Sequence, residues 1–272
     1  MVKGIDIFRE RFRGFPEALV LIGGAACVEW FSRLGMAFRA TRDLDIVLIL
    51  EALSEDFVAA MRGFIDEGGY EIRERSEGGP PVLYRFSKPT DDRFPAMLEI
   101  FSRLPEGISL ADDQTIVPIP TGQDSQSLSA ILVNADYHAL IRQQRESRDG
   151  IAFATATALI PLKAKAWLDL SARQLAGEAI DTKDIAKHRA DVFRLAATLP
   201  GDTTVQLPDA IRADLAAFLG AFPDDSPEWS AILSAIKNTV GGNLRPAALR
   251  SAIQTFFILS AAAAASTRLS AG

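Results

Sequence analysis

The chain has 272 residues, of which 48% are hydrophobic, with a formal net charge of −6 and a single cysteine, Cys27. That length allows one large or two modest domains with a real core. The acidic balance excludes a global basic footprint for nucleic acid, although a local basic patch stays open. One cysteine excludes an intrachain disulfide, which favours a reducing, cytoplasmic setting. The charged, amphipathic N-terminus is not a secretory signal. The apolar stretch 252–265 is short for a membrane span and contains Gln254 and Thr255, so a buried helix and no membrane partner are expected.

In chain order, residues 5–13 read as a helix ended near Gly14 and Pro16. Residues 19–22 are a short apolar run with β-branched members, which predicts a strand. Gly23 and Gly24 follow, where the backbone can turn sharply and be approached closely. Residues 25–34 repeat at helical spacing, with Ala26, Trp30 and Leu34 on one stripe. A helix that starts after a glycine turn offers free N–H groups and a positive dipole end, which suits phosphate.

Arg39, Thr41, Asp43 and Asp45 stand at alternate positions, so in an extended segment all four point to one face. The run 46–50 is continuously apolar and is expected to be a strand buried on both faces. Two carboxylates on one face at the entrance to such a strand are unfavourable unless a cation sits there. Magnesium suits them, because it prefers hard oxygen ligands and takes few from the protein.

Residues 54–68 read as a helix capped by Ser54, with Phe57, Met61 and Phe64 or Ile65 on its stripe. Residues 70–75 and 82–87 form an expected hairpin about a Gly- and Pro-rich turn at 77–81. In the strand 94–102, Met97, Glu99 and Phe101 share a face, and Glu99 is the candidate third carboxylate of the metal site. Two further strands, 115–119 and 127–134, flank a polar turn at 121–126.

Beyond Asn134 the β-branched alternation gives way to Ala-rich helical spacing. A domain boundary is therefore expected between 134 and 149, with a bridging helix at 137–145; the two domains are written as 1–138 and 139–272. Pro161 is placed in the first turn of a helix running to about residue 175. There Lys163 falls among Leu162, Ala166, Trp167 and Leu170, so its amine must snorkel or meet an anion. Lys165, on the other side, forms a surface pair with Asp169. After a loop at 176–180, Asp181 fits an N-cap with Asp184 at the third helical position. The helix 182–197 carries Ile185, His188, Val192 and Leu195 on one face, and 207–220, 229–238 and 246–268 read as three more helices.

Gly23-Gly24, a helix, and then Arg39-x-Thr41-x-Asp43-x-Asp45 resemble the nucleotidyltransferases of the polymerase-beta superfamily. The R-x-T-x-D-x-D form, with the segments LIPLKAKAWLDL and DTKDIAKHRADVFRL, resembles its AbiEii-like abortive-infection toxin branch. The resemblance implies an α/β (α+β) architecture: a mixed-sheet nucleotidyltransferase-fold domain followed by an all-helical domain. It implies Asp43, Asp45 and Glu99 as ligands of Mg2+ or Mn2+, where the superfamily mostly has an aspartate at the third place. Gly23, Gly24, Arg39, Thr41, Lys163 and Lys183 would bind the nucleotide, and Lys163 and Asp184 would join the three acids in catalysis. The implied activity moves an NMP from an NTP to a hydroxyl of a transfer RNA or a protein, as a toxin with an antitoxin partner. The alternative is a catalytically silent nucleotide- or partner-binding protein on the same fold, which glutamate at position 99 favours.

Overall fold

The computed structural model describes residues 2–74, 81–106, 116–119, 129–241 and 244–259. Most of the turn read at 77–81, the polar turn at 121–126 and the tail of the last helix beyond residue 259 lie outside the described residues. The chain divides into two compact units, Met1–Leu159 and Ile160–Gly272.

The first unit is α/β and is built on one mixed sheet of nine strands among the described residues. Its elements are α1 (Ile5–Phe12), β1 (Leu19–Ile22), α2 (Gly23–Arg33), β2 (Asp43–Leu48), α3 (Glu55–Gly68), β3 (Glu71–Glu74), β4 (Pro81–Ser87), β5 (Met97–Ser102), β6 (Ile116–Pro118), β7 (Ser129–Leu132), α4 (Ala135–Gln143), β8 (Arg145–Arg148) and β9 (Ile151–Ala154). The strand order is β3-β4-β5-β2-β1-β9-β8, and β7 pairs with both β5 and β6. β2 lies near the middle, antiparallel to β1 and parallel to β5.

The apolar pattern fixes this arrangement. Leu44, Ile46 and Leu48 of β2 alternate to one face and are fully buried, beside Leu98 and Ile100 of β5. Beyond the acids, Ile46, Val47 and Leu48 are all buried, as the continuous apolar run requires. α1 and α3 pack through an aromatic cluster in which Phe64 of α3 meets Phe8 and Phe12 of α1, each at 5.5 Å. The Ser54 hydroxyl accepts from the Phe57 N–H at 3.2 Å and starts α3, and Gly69 ends it in the left-handed region.

Two elements differ from the sequence reading. The hairpin β8–β9 is unforeseen: β9 pairs in parallel with β1 at Leu21↔Phe153, so the sheet runs past Asn134. Ala152 and Ala154 masked it, because small residues read as helical while here they pack a buried strand. The helix α5 (Ala156–Leu175) starts five residues before Pro161, which lies inside it. Thr155 accepts the first backbone bonds through its carbonyl, and the fully buried Ala158, Leu159 and Ile160 hold the early turns by packing. Pro161 removes one helical hydrogen bond without ending the helix.

The second unit is helical: most of α5, then α6 (Thr182–Ala196), α7 (Asp209–Gly220), α8 (Trp229–Val240) and α9 (Pro246–Phe256). Its core is aromatic, with Phe193 against Trp229 at 4.6 Å and Trp167 against Phe222 at 4.9 Å. Among the described residues no helix is long and apolar enough to cross a membrane.

A buried histidine ties α4 to the central strand. His138 Nε2 donates to the Leu48 carbonyl at 3.2 Å, which fixes the tautomer. Burial holds its pKa below the ordinary 6.5, aided by Arg103 and Arg142 and opposed by the Leu48 hydrogen bond and Glu51. The unfolded chain therefore takes up a proton that the folded chain resists. The contribution of neutral His138 is intact above pH 6.5 and is lost as pH falls from there toward the depressed folded value. Thermal unfolding should show a lower Tm at pH 5.5 than at pH 7.5, and the drop should shrink in His138→Gln.

Candidate functional site

The acids sit where the sheet register puts them. β2 starts at Asp43, and Asp43 and Asp45 share the face opposite Leu44 and Ile46. Both are half-buried. Across β1, Asp45 is the partner of Ile22, the last residue before the glycines. Across β5, Asp43 is the partner of Met97 and Asp45 the partner of Glu99. Paired residues in a ladder point to the same side, so Glu99 lies on the same face as the two aspartates.

The glycine turn closes on these side chains. Gly23 has φ +62°, a left-handed conformation that other residues adopt only with strain. A methyl group at Gly23 would lie far inside van der Waals contact with Oδ2 of Asp45. A methyl group at Gly24 would stand 2.7 Å from Oγ1 of Thr41. The two glycines thus make a backbone surface against which Asp45 and Thr41 lie directly, and α2 begins there with no side-chain cap. Thr41 is held by a bridge to Val2 and by the Lys3 N–H at 3.3 Å. Arg39 lies in the loop before it, its guanidinium 5.2 Å from the centre of the Phe38 ring.

Glu99 is engaged. Arg85, its register partner on β4, donates from Nε to Oε1 at 2.6 Å, and Nη2 of the same guanidinium closes on the same oxygen. Among the described residues no group of three or more His, Cys, Asp and Glu is gathered so as to hold a metal ion. The register thus brings Gly23, Gly24, Thr41, Asp43, Asp45 and Glu99 together, while the Glu99 carboxylate is turned to an arginine.

The remaining sequence candidates belong to the helical unit. Lys163 is 4% exposed, and its amine donates to Oδ2 of Asp191 on α6 at 3.0 Å. Arg194, one turn on, bonds the other oxygen of Asp191 and reaches the Ala235 carbonyl at 2.7 Å. Of the two alternatives, snorkelling or an anion, the Lys163 amine takes the second, and the anion is Asp191, which is fully buried. Lys183 and Asp184 are exposed in the first turn of α6. There the Asp181 side chain caps the Lys183 N–H at 2.8 Å, and Asp184 pairs with Lys187 at 2.7 Å.

Sequence reasoning missed Arg85, Asp191 and Arg194. For Asp191 a signal existed, since it falls between His188 and Val192 on the inward face of α6. For Arg85 there was none, because only strand register sets it opposite Glu99.

No family model, curated protein or solved structure matches this chain. What the site does is inferred from its residues and their geometry.

Gly23→Ala should lower stability by about 1–3 kcal/mol through backbone strain alone, with a further loss from overlap with Asp45. In thermal unfolding, Gly23→Ala/Asp45→Ala should lose less than the two single changes added together. Lys163→Met removes the lysine's bond to one oxygen of the buried Asp191 and leaves that of Arg194 to the other, and should destabilise the helical unit by about 1–3 kcal/mol, measured by urea unfolding followed through tryptophan fluorescence. A lysine serving only a ligand would leave the midpoint in place.

Proposed function

We propose that the chain is a magnesium-dependent nucleotidyltransferase that moves an NMP from an NTP to a hydroxyl of an RNA or protein acceptor. The single observation that supports this most is the packing of Asp45 and Thr41 against the Gly23-Gly24 backbone at the start of α2. It unites on one surface the hard-oxygen ligands for a cation and the backbone donors for a phosphate.

The donor set fits magnesium. Asp43 and Asp45 supply two carboxylates on one face, and magnesium bound to phosphates needs only one or two from the protein. Bound magnesium would neutralise phosphate charge and lower the pKa of the acceptor hydroxyl. Asp43 and Asp45 would hold it. The N–H groups at the start of α2 would orient the triphosphate, and the Thr41 hydroxyl beside Gly24 would hold a phosphate oxygen. Arg39 would add positive charge from the loop before Thr41. The acceptor oxygen forms a bond to the α-phosphorus as the bond to the bridging oxygen breaks. Pyrophosphate leaves, and the acceptor proton passes to solvent. Chemistry of this kind rests on position and electrostatics rather than on a nucleophilic side chain.

A second reading has an observation of its own. With Glu99 bonded to Arg85, a protein on this frame can bind nucleotide without turning it over. The toxin role and its antitoxin partner go with the first reading.

Asp43→Asn/Asp45→Asn should abolish transfer of labelled nucleotide and weaken Mg-NTP binding at least tenfold, with Tm within a few degrees of wild type. Transfer at the wild-type level in that variant would refute the assignment. NTP binding without transfer in the wild-type chain would select the silent reading.

A further inference from the structure

The rows of the sheet next to the acids carry a cation to which the transferase reading gives no role. Across β1, β2, β5 and β4 the register runs Ile22, Asp45, Glu99, Arg85, each the Cα partner of the next. Strands lie about 4.8 Å apart, so Arg85 starts about 10 Å from Asp45 on the same face. An extended arginine spans much of that gap, and a triphosphate chain held through a cation at Asp45 would span the rest.

Glu99 holds only part of the Arg85 guanidinium. Nε and Nη2 both go to Oε1, and among the described residues Nη1 has no hydrogen-bond or ion-pair partner. The side chain is 36% exposed, against 15% for Glu99. A guanidinium pinned along one edge by a more buried carboxylate has lost its rotamer freedom and keeps donors free on the other edge. That is the preorganised form in which arginine binds phosphate best.

We propose that Arg85 is the phosphate-binding arginine of this site and that Glu99 positions it rather than ligating the ion. This rests on the nucleotide reading of Asp43 and Asp45. Arg85 would bind a non-transferred phosphate of the triphosphate, and the Glu99 carboxylate would set the angle of the fork.

The test uses the full chain, Mn2+ and inorganic tripolyphosphate. Free Mn2+ is followed by its paramagnetic resonance signal and tripolyphosphate binding by calorimetry. Arg85→Gln should weaken tripolyphosphate binding about tenfold to a hundredfold, since charge-assisted bonds are lost, and leave Mn2+ affinity unchanged. Arg85→Lys keeps the charge without the fork and should recover only part of that loss. Glu99→Gln should leave Mn2+ affinity unchanged and weaken tripolyphosphate binding severalfold. Circular dichroism melts confirm that each variant is folded.

Glu99→Gln lowering Mn2+ affinity while Arg85→Gln raises it would overturn the proposal and make Glu99 an ion ligand. Wild-type tripolyphosphate affinity in Arg85→Gln would overturn it while leaving the Asp43 and Asp45 assignment in place. A wild-type chain that binds neither probe would overturn both.

Discussion

Asp45 occupies the space that a side chain at position 23 would fill, and the rest of the candidate site depends on that exclusion. It works only in one register. Ile22 must pair with Asp45 so that the next residue turns beside the carboxylate. A slip of one residue would send Asp43 and Asp45 into the core and bring Leu44 and Ile46 out. The apolar set on the far face makes such a slip prohibitive, because Leu44, Ile46, Leu48, Leu98 and Ile100 are all fully buried there. Hydrophobic burial on one side of β2 therefore fixes the polar geometry on the other.

The helical unit solves a different electrostatic problem. Lys163, Asp191 and Arg194 form a buried ionic network that joins α5 to α6, and Arg194 extends it to the backbone of α8. Buried ion pairs add little net stability, since desolvation offsets most of the attraction. They do forbid alternatives: any other packing of α5 on α6 would bury one of the charges without its partner. The network fixes how these helices meet within their unit.

Much of the first unit was legible in the sequence, and the failures have physical causes. The strand–glycine–helix–acid order could be read because each element carries its own local signal: β-branched run, Gly pair, helical stripe, alternating polar residues. Ser54 and Asp181 were legible as caps because capping is local chemistry. The hairpin β8–β9 was not, since its burial comes from β1, far away in sequence, and Ala152 and Ala154 carry no strand preference of their own. Arg85 escaped for the same reason, as its meaning comes from a neighbouring strand. Lys163 was only half legible. The wheel showed that its amine had to snorkel or meet an anion, but not that it would meet one belonging to the same unit.

The parallel pairing of β1 with β9 has a consequence for how the protein is made. Leu21 and Phe153 meet across roughly 130 residues of chain, a separation that sets a slow step in assembly. On the ribosome, β1 and β2 can zip together early, but the outer edge of β1 stays bare until Ile151–Ala154 leaves the exit tunnel. Through that interval a nascent chain displays an apolar strand with unpaired amides, open to capture by its neighbours on the same message.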